Sequence, residues 1–409
     1  MVAQNNDAML DYYVALDLLL HNLPERKETE YRSLSDAMDL VMAEDVPVLF
    51  DIPSFDNSAM DGYALGGDVR NRKIWKIIDR IAAGDTPSTY ELRTGEASRI
   101  FTGAPVPKGT TTIVIQENIK ISGNEISVLN TVPSDQHIRR KGEEFKAGDI
   151  LLKARTRLTP ASIALLASQG YLKVKVFKPL KIYIFSTGNE LTDPGKTLSE
   201  GRIYDSNRFL LLSWLKNKAF DVIDGGILPD EKDQVERALY EASQKADVIL
   251  TSGGVSVGEE DHLKRVLIKL GKLNFWKLAI KPGKPFTWGE IGASSIFMLP
   301  GNPVSSLVTF QQLVCPALRV LMGEEADKAL PKPFSAKASF SQDQKQIRRE
   351  FIRITLEMKD GELFANAIPR QGSAMLSSCT NAHALAEIPP NTIINRNDLI
   401  RIYPLNYKV

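Results

Sequence analysis

The sequence predicts a multidomain α/β plus β protein. A central, mostly parallel α/β domain is expected, with a β-rich insertion domain, a small discontinuous helical and extended domain, and a C-terminal β barrel. Three observations predict it. Strand-like runs in the central region end in glycine turns; strand and helix patterns alternate across 181–323; and the pattern beyond residue 330 changes to short β segments. The expected domains are 1–50 with 142–180, then 51–141, 181–328 and 329–409.

The central domain rests on its glycine turns. Asp247-Val-Ile-Leu250 has the apolar, β-branched character of a buried strand and runs into Thr251-Ser-Gly-Gly-Val-Ser-Val-Gly258. The stretch 259–270 then spaces its apolar residues as a helix does, with acids first and bases behind, as the helix dipole favours. Paired glycines let a backbone approach a ligand closely, and N–H groups gathered at a helix start attract an oxyanion. The loop carries neither a dinucleotide fingerprint nor a Walker sequence, so by itself it serves equally well as a tight turn. It is not alone. Leu180-Lys-Ile-Tyr-Ile-Phe-Ser-Thr-Gly-Asn-Glu190 and Ser295-Ile-Phe-Met-Leu-Pro-Gly-Asn-Pro303 also read as strands entering glycine turns. In an open parallel sheet such turns gather at the carboxyl edge, so one shared ligand pocket is expected.

The remaining elements follow in chain order. Met9, Leu10, Tyr13, Leu16, Leu19, Leu20 and Leu23 give an amphipathic helix over 7–23, closed by Pro24. A second helix is expected over 35–43 with Ser35 as its cap. Asp61-Gly62 reads as a hairpin-type turn, and 74–81, 98–102 and 110–116 read as strands of the insertion domain. Thr159 as cap, Pro160 at the first helical position and Gly170 just past the end define a short helix. Helices over 206–218, 230–242 and 305–322 alternate with the central strands; 351–358, 363–368 and 399–403 supply the barrel.

A chain of 409 residues exceeds what one hydrophobic core normally supports. Its formal net charge of +1 gives no basic excess for nucleic acid, and nothing resembles a secretory leader or a membrane span. Two cysteines far apart, Cys315 and Cys379, form neither a disulfide framework nor a thiolate metal site, so a reducing cytoplasm is the expected location. Glu190, Asp230 and Asp261 lie beside the glycine turns, and such hard oxygen donors suit Mg²⁺ held together with a phosphate-bearing ligand. Lys277, Lys281 and Lys284 stand in a segment stiffened by Pro282 and Pro285, where they could be a solvated loop or could neutralise an anionic substrate. No nucleophile elbow or Ser-His-Asp arrangement is visible, and His262 is read as a surface or capping residue.

Pro53-Ser-Phe-Asp-Asn-Ser-Ala-Met-Asp-Gly-Tyr-Ala64, Phe101-Thr-Gly-Ala104, Ser186-Thr-Gly-Asn-Glu-Leu191, Ser252-Gly-Gly-Val-Ser-Val-Gly258 with Asp261, Lys277 to Pro285, and Leu299-Pro-Gly-Asn-Pro-Val-Ser305 together resemble the molybdopterin molybdenumtransferase family. Bacterial MoeA and the E domain of gephyrin belong to it, and the match runs through nearly the whole chain in order. The resemblance implies a four-domain subunit, a homodimer, and a reaction in which adenylylated molybdopterin and molybdate give molybdenum cofactor and AMP with Mg²⁺. It implies that Ser252, Gly253, Gly254, Ser256, Gly258 and Asp230 hold the pterin or its phosphate, with Lys284, Pro300 and Pro303 also lining the site. Glu190 and Asp261 are expected near the pyrophosphate and as metal ligands; Lys277, Lys281, Arg353 and Ser373 would receive molybdate or the dithiolene end. Asp61 and Thr102 would face the active site across the dimer. One departure is that Gly109-Thr-Thr-Thr112 stands where the family usually shows an acid.

Two other readings are weighed. Molybdopterin adenylyltransferase shares the α/β domain and its loops but lacks the regions carrying Asp61, Thr102 and the last β domain. A receptor-anchoring scaffold, as in the eukaryotic relative, is disfavoured because no fused second catalytic domain or long linker is visible. Expected partners are small-molecule substrates, molybdopterin adenylyltransferase and molybdoenzyme maturation factors, with no nucleic acid and no membrane.

Overall fold

The computed structural model describes residues 9–86, 89–217, 219–254 and 262–405. They form two compact units, one of 45–154 with 164–171 and the other of the remaining residues.

In the second and larger unit, a six-stranded sheet is built from β1 (Leu180–Thr187), β2 (Phe220–Leu228), β3 (Val248–Ser252), β4 (Lys272–Trp276), β5 (Thr287–Ile291) and β6 (Ser294–Leu299). Their order is β2-β1-β3-β6-β5-β4. The β1/β2, β1/β3 and β3/β6 pairs are parallel, whereas β6/β5 and β5/β4 are antiparallel. The expectation of a mostly parallel sheet therefore holds at the centre, with an antiparallel extension that periodicity gave no means to foresee. The connecting helices are α1 (Asn207–Trp214), α2 (Lys232–Ser243), α3 (His262–Leu270) and α4 (Pro303–Thr309). β3 and β6 are buried at every position, which is why they read as unbroken apolar runs, and Ile249, Ile296 and Met298 pack with Val235, Leu239, Val266 and Leu267 from α2 and α3.

Beyond α4 the helix continues to Leu321 through a π-helical turn at Phe310–Val314. Pro316, lacking an N–H, cannot donate to the backbone carbonyl of Gln312; the Tyr12 hydroxyl lies 3.5 Å from that carbonyl and donates to the Gln312 side-chain oxygen at 2.9 Å. The whole segment Pro303–Leu321 is long and apolar enough to cross a membrane by composition, but 83% of it is buried inside the protein, as a core helix is. Five strands then close a barrel: Arg349–Lys359 pairs with Glu362–Ala367 and with Ala384–Ile388, and Phe334–Ala338 and Leu399–Pro404 complete the ring. Ala336, Ile352, Ile354, Ala386 and Ile402 fill it, so the expected C-terminal barrel is present.

The other unit holds a second six-stranded sheet, in which Gly62–Gly66 lies between Glu96–Ile100 and Thr110–Ile115. Tyr63 and Leu65 pack on one face with Trp75 and Val114; Ala64 packs on the other with Ile100 and Ile113.

Two local expectations fail for identifiable reasons. Asp61-Gly62 is no hairpin turn: Gly62 opens a strand, and a Cβ there would fall on the Val114 carbonyl, so glycine is needed for close approach. The helix expected over 35–43 shrinks to a 3₁₀ turn at Leu34–Asp36, because Val41 and Met42 are drawn into bridges with Arg157 and Val176. The helix expected over 7–23 spans Tyr12–Asn22, capped by Asp11, whose side chain accepts from the Tyr13 N–H. Gly62→Ala should cost about 2 kcal/mol by forcing these strands apart, read as a lowered midpoint in urea unfolding.

Candidate active site

The three parallel pairings put the ends of β1, β2, β3 and β6 on one edge of the sheet, and the two antiparallel steps return β4 to the same direction, so its end lies there too. Strand order reverses between β1 and β3, the position at which open α/β sheets bind ligands. The turns after these strands carry the expected residues: Gly188 to Glu190, Asp230, Gly253 and Gly254, the Lys277–Lys284 segment, and Pro300 to Pro303. Ser256, Gly258 and Asp261 lie outside the described residues.

Glycine is required after β3. Gly253 and Gly254 have φ of +90° and +65°; a Cβ on the first would meet the Thr187 carbonyl, and one on the second would come within 2.6 Å of Leu263. Gly253 N–H donates to the Leu299 carbonyl at 3.1 Å, which holds the β3 and β6 turns together. Asn189 and Asp230 join the β1 and β2 turns by a reciprocal pair, each backbone N–H donating to the other's side chain at 3.4 and 3.2 Å. Glu190 is exposed, and its carboxylate folds over Gly188 without a hydrogen-bond or ion-pair partner among the described residues.

Beneath these turns lies a network that motif reading missed. Arg208 at the start of α1 is 4% exposed and donates to Asp205 at 2.9 Å, to Asp224 at 2.6 Å and to Asp193. Burial works against its charge, but Asp224 and Asp205 outweigh it and raise its pKa. Ser186 on β1 donates to Asp205 at 3.0 Å. The sequence places only a helix start here, since acids three, fifteen and sixteen positions from Arg208 announce no shared guanidinium.

At the other end of the edge Lys277 has φ of +66°, a left-handed conformation that costs a non-glycine residue on the order of 1 kcal/mol. Its ammonium lies 4.0 Å from the Trp276 ring centre, and that of Lys264 lies 3.0 Å from it. The segment is tied down on both sides, by Ala279 N–H to the Leu10 carbonyl at 2.8 Å and by Arg349 N–H to the Ala279 carbonyl at 2.9 Å. Lys281 pairs with Glu350 at 3.0 Å, whereas the Lys284 ammonium has no partner among the described residues. Arg353 is 1% exposed; its Nε donates to Ser378 and its Nη2 to the carbonyls of Arg370 and Gly372, and burial lowers its pKa. It thus shapes the segment that brings the Ser373 carbonyl to the Val304 N–H of α4, at 3.0 Å. Pro300 is buried and Pro303 half-buried in the β6 turn.

In the other unit Asp61 accepts from the Thr102 N–H at 2.8 Å and the Thr102 hydroxyl at 2.9 Å. Those two bonds, with a smaller contribution from Arg99, hold its carboxyl below the usual range. The guanidiniums of Arg99 and Arg80 lie 4.6 and 4.7 Å from the centre of the Phe101 ring, a cationic stack that the motif Phe101-Thr-Gly-Ala104 does not reveal.

Residues 10–170 match the MoeA N-terminal region (domain I and II), 183–320 a "Probable molybdopterin binding domain", and 335–405 the MoeA C-terminal region (domain IV). A molybdopterin molybdenumtransferase of Haemophilus influenzae is 39% identical over 98% of this chain and 99% of its own length. The chain belongs to the molybdopterin molybdenumtransferase family. It is accordingly a transferase of molybdenum cofactor biosynthesis. A molybdopterin molybdenumtransferase of a Nostoc species is 34% identical over 91% of the chain and 87% of its own length. The crystal structure of the molybdopterin biosynthesis moeA protein of Pyrococcus horikoshii superposes with a TM-score of 0.82 at 31% identity, over 97% of this chain and all of that one.

Two measurements test this geometry. Arg208→Ala leaves Asp205 buried without its counter-charge and should destabilise the larger unit by about 3 kcal/mol, seen in urea unfolding. Asp61, with a folded pKa below its unfolded value, contributes stability that is present above the unfolded pKa and lost as pH falls through the folded one. Its carboxyl carbon should titrate by NMR below the ordinary aspartate range, and Thr102→Val should move that midpoint only part of the way back, because the backbone N–H remains.

Proposed function

We propose that this transferase acts on adenylylated molybdopterin and molybdate, inserting molybdenum and releasing AMP, with Mg²⁺ at the nucleotide end. The observation that carries the reading is the charge order along the sheet edge. Carboxylates occupy the turns of β2 and β1, bare glycine backbone follows at β3, and ammonium groups stand at the turn of β4. From β1 to β4 there are four inter-strand steps of about 4.8 Å, roughly 19 Å in all. That span suits an extended ligand with a metal-binding pyrophosphate at one end and an oxometalate-binding dithiolene at the other.

In this scheme Ser252, Gly253, Gly254, Ser256, Gly258 and Asp230 hold the pterin and its phosphate, with Lys284, Pro300 and Pro303 lining the same edge. The exposed Glu190 carboxylate, without a partner among the described residues, offers the hard oxygen donors Mg²⁺ prefers, with Asp261 as its companion; the ion would neutralise the pyrophosphate. Lys277 and Lys281 draw molybdate in by charge, while Arg353 and Ser373 shape and receive the dithiolene end. Asp61 and Thr102 act on the nucleotide end from the partner subunit of a homodimer. The four-domain division at 1–50 with 142–180, 51–141, 181–328 and 329–409, and a cytoplasmic location, belong to the same proposal; handover of substrate and product would involve molybdopterin adenylyltransferase and molybdoenzyme maturation factors.

The test is incubation with adenylylated molybdopterin, molybdate and Mg²⁺, following AMP. Asp61→Ala and Glu190→Ala should each cut AMP release by at least about a hundredfold. Glu190→Ala should leave the unfolding midpoint unchanged, while Asp61→Ala should lower it only slightly, by removing the acceptor of the two Thr102 hydrogen bonds, with the chain still folded. Unaltered turnover in both would overturn their roles, and AMP release without molybdenum insertion would uncouple the two steps.

A further inference from the structure

We infer that Asn207 is a positioning residue of the pterin-binding edge, acting through Ser252; this rests on the pterin site proposed above. Its side-chain Nδ2 donates at 2.7 Å to the Ser252 hydroxyl and at 2.7 Å to the Gly301 carbonyl. One amide therefore uses both of its protons to clamp the end of β3 to the turn after β6, on neighbouring strands of the sheet edge. The Gly301 carbonyl can only accept, which fixes which end of the amide is nitrogen.

A consequence follows for Ser252. Its oxygen already accepts from Asn207, and it is 2% exposed with no acceptor for its own proton among the described residues. The hydroxyl is thereby held as a donor, the polarity an oxyanion or carbonyl of the substrate needs. The clamp is itself immobilised. Arg208, the next residue, is anchored to Asp205, Asp224 and Asp193, and Asp205 receives the Ser186 hydroxyl. The four residues 205–208 thus reach β1, β2, β3 and the β6 turn at once. Asn207 Oδ1 is buried and has no donor among the described residues, so the side chain's bonds there are those its nitrogen makes.

The experiment is a double-mutant cycle on the full chain, with Asn207→Ala, Ser252→Ala and both together, read by fluorescence titration with adenylylated molybdopterin and by the KM for molybdate. Asn207→Ala should weaken pterin binding about tenfold, and in the Ser252→Ala background it should cost no more than about twofold further. The molybdate KM and the unfolding midpoint should stay near those of the wild type. Additive losses, wild-type pterin affinity in Asn207→Ala, or a parallel loss of stability and of both substrates would overturn the inference. Should Asn207→Ala not fold, Asn207→Ser, which keeps one donor, is put through the same cycle and should give an intermediate loss. Failure of the wild-type protein itself to bind the pterin would instead overturn the reading of the site.

Discussion

A single buried guanidinium governs the functional edge of the central sheet. Arg208 draws Asp205, Asp224 and Asp193 onto one point, and with Asn207 beside it the start of α1 is bonded to the middle of β2, the end of β3 and the turn after β6, and through Asp205 to Ser186 of β1. Taking an arginine out of water is costly, and only several well-placed acceptors offset that. Those acceptors fix the start of α1, from which Asn207 reaches Ser252 and the Gly301 carbonyl. The turns themselves are tied pairwise, Gly253 N–H to the Leu299 carbonyl and Asn189 with Asp230, and the buried network adds a second set of bonds behind them.

The edge is polarised by topology rather than by any cluster in the sequence. Among the described residues no group of three or more His, Cys, Asp or Glu is gathered closely enough to hold a metal. Carboxylate and ammonium groups are instead spread along successive strand ends, each turn contributing one kind of contact. The antiparallel return through β5 to β4 is what brings the lysines to that edge. The same segment is pinned by Leu10 and Arg349, so the strained Lys277 conformation is maintained by neighbours on both sides.

Much of this was legible in the residues. The apolar runs of β1, β3 and β6, the glycine turns behind them, and the closing Thr159, Pro160 and Gly170 signals each declare themselves within a few positions, because strand burial, helix capping and left-handed turns are local demands. Short motifs likewise marked Asp61, Glu190 and the lysine segment as candidates. The failures are equally specific. Asp61-Gly62 was read as a turn because glycine's freedom is the usual reason for it, whereas the Val114 backbone is the reason here. The apolar spacing over 35–43 mimicked a helix that β bridges to distant residues override.

The sequence by itself thus determined the class of fold, the strand-and-turn rhythm of the central domain and the identity of the groups offered to a ligand, since these depend on neighbours in the chain. Only the tertiary structure decided that β4 and β5 run antiparallel to complete the edge, that Arg208 and Asn207, with Asp205, tie β1, β2, β3 and the turn after β6 together, and that Arg353 is spent on holding its own loop. Those outcomes depend on the desolvation and pairing of charges brought together from distant parts of the chain, which no local pattern encodes.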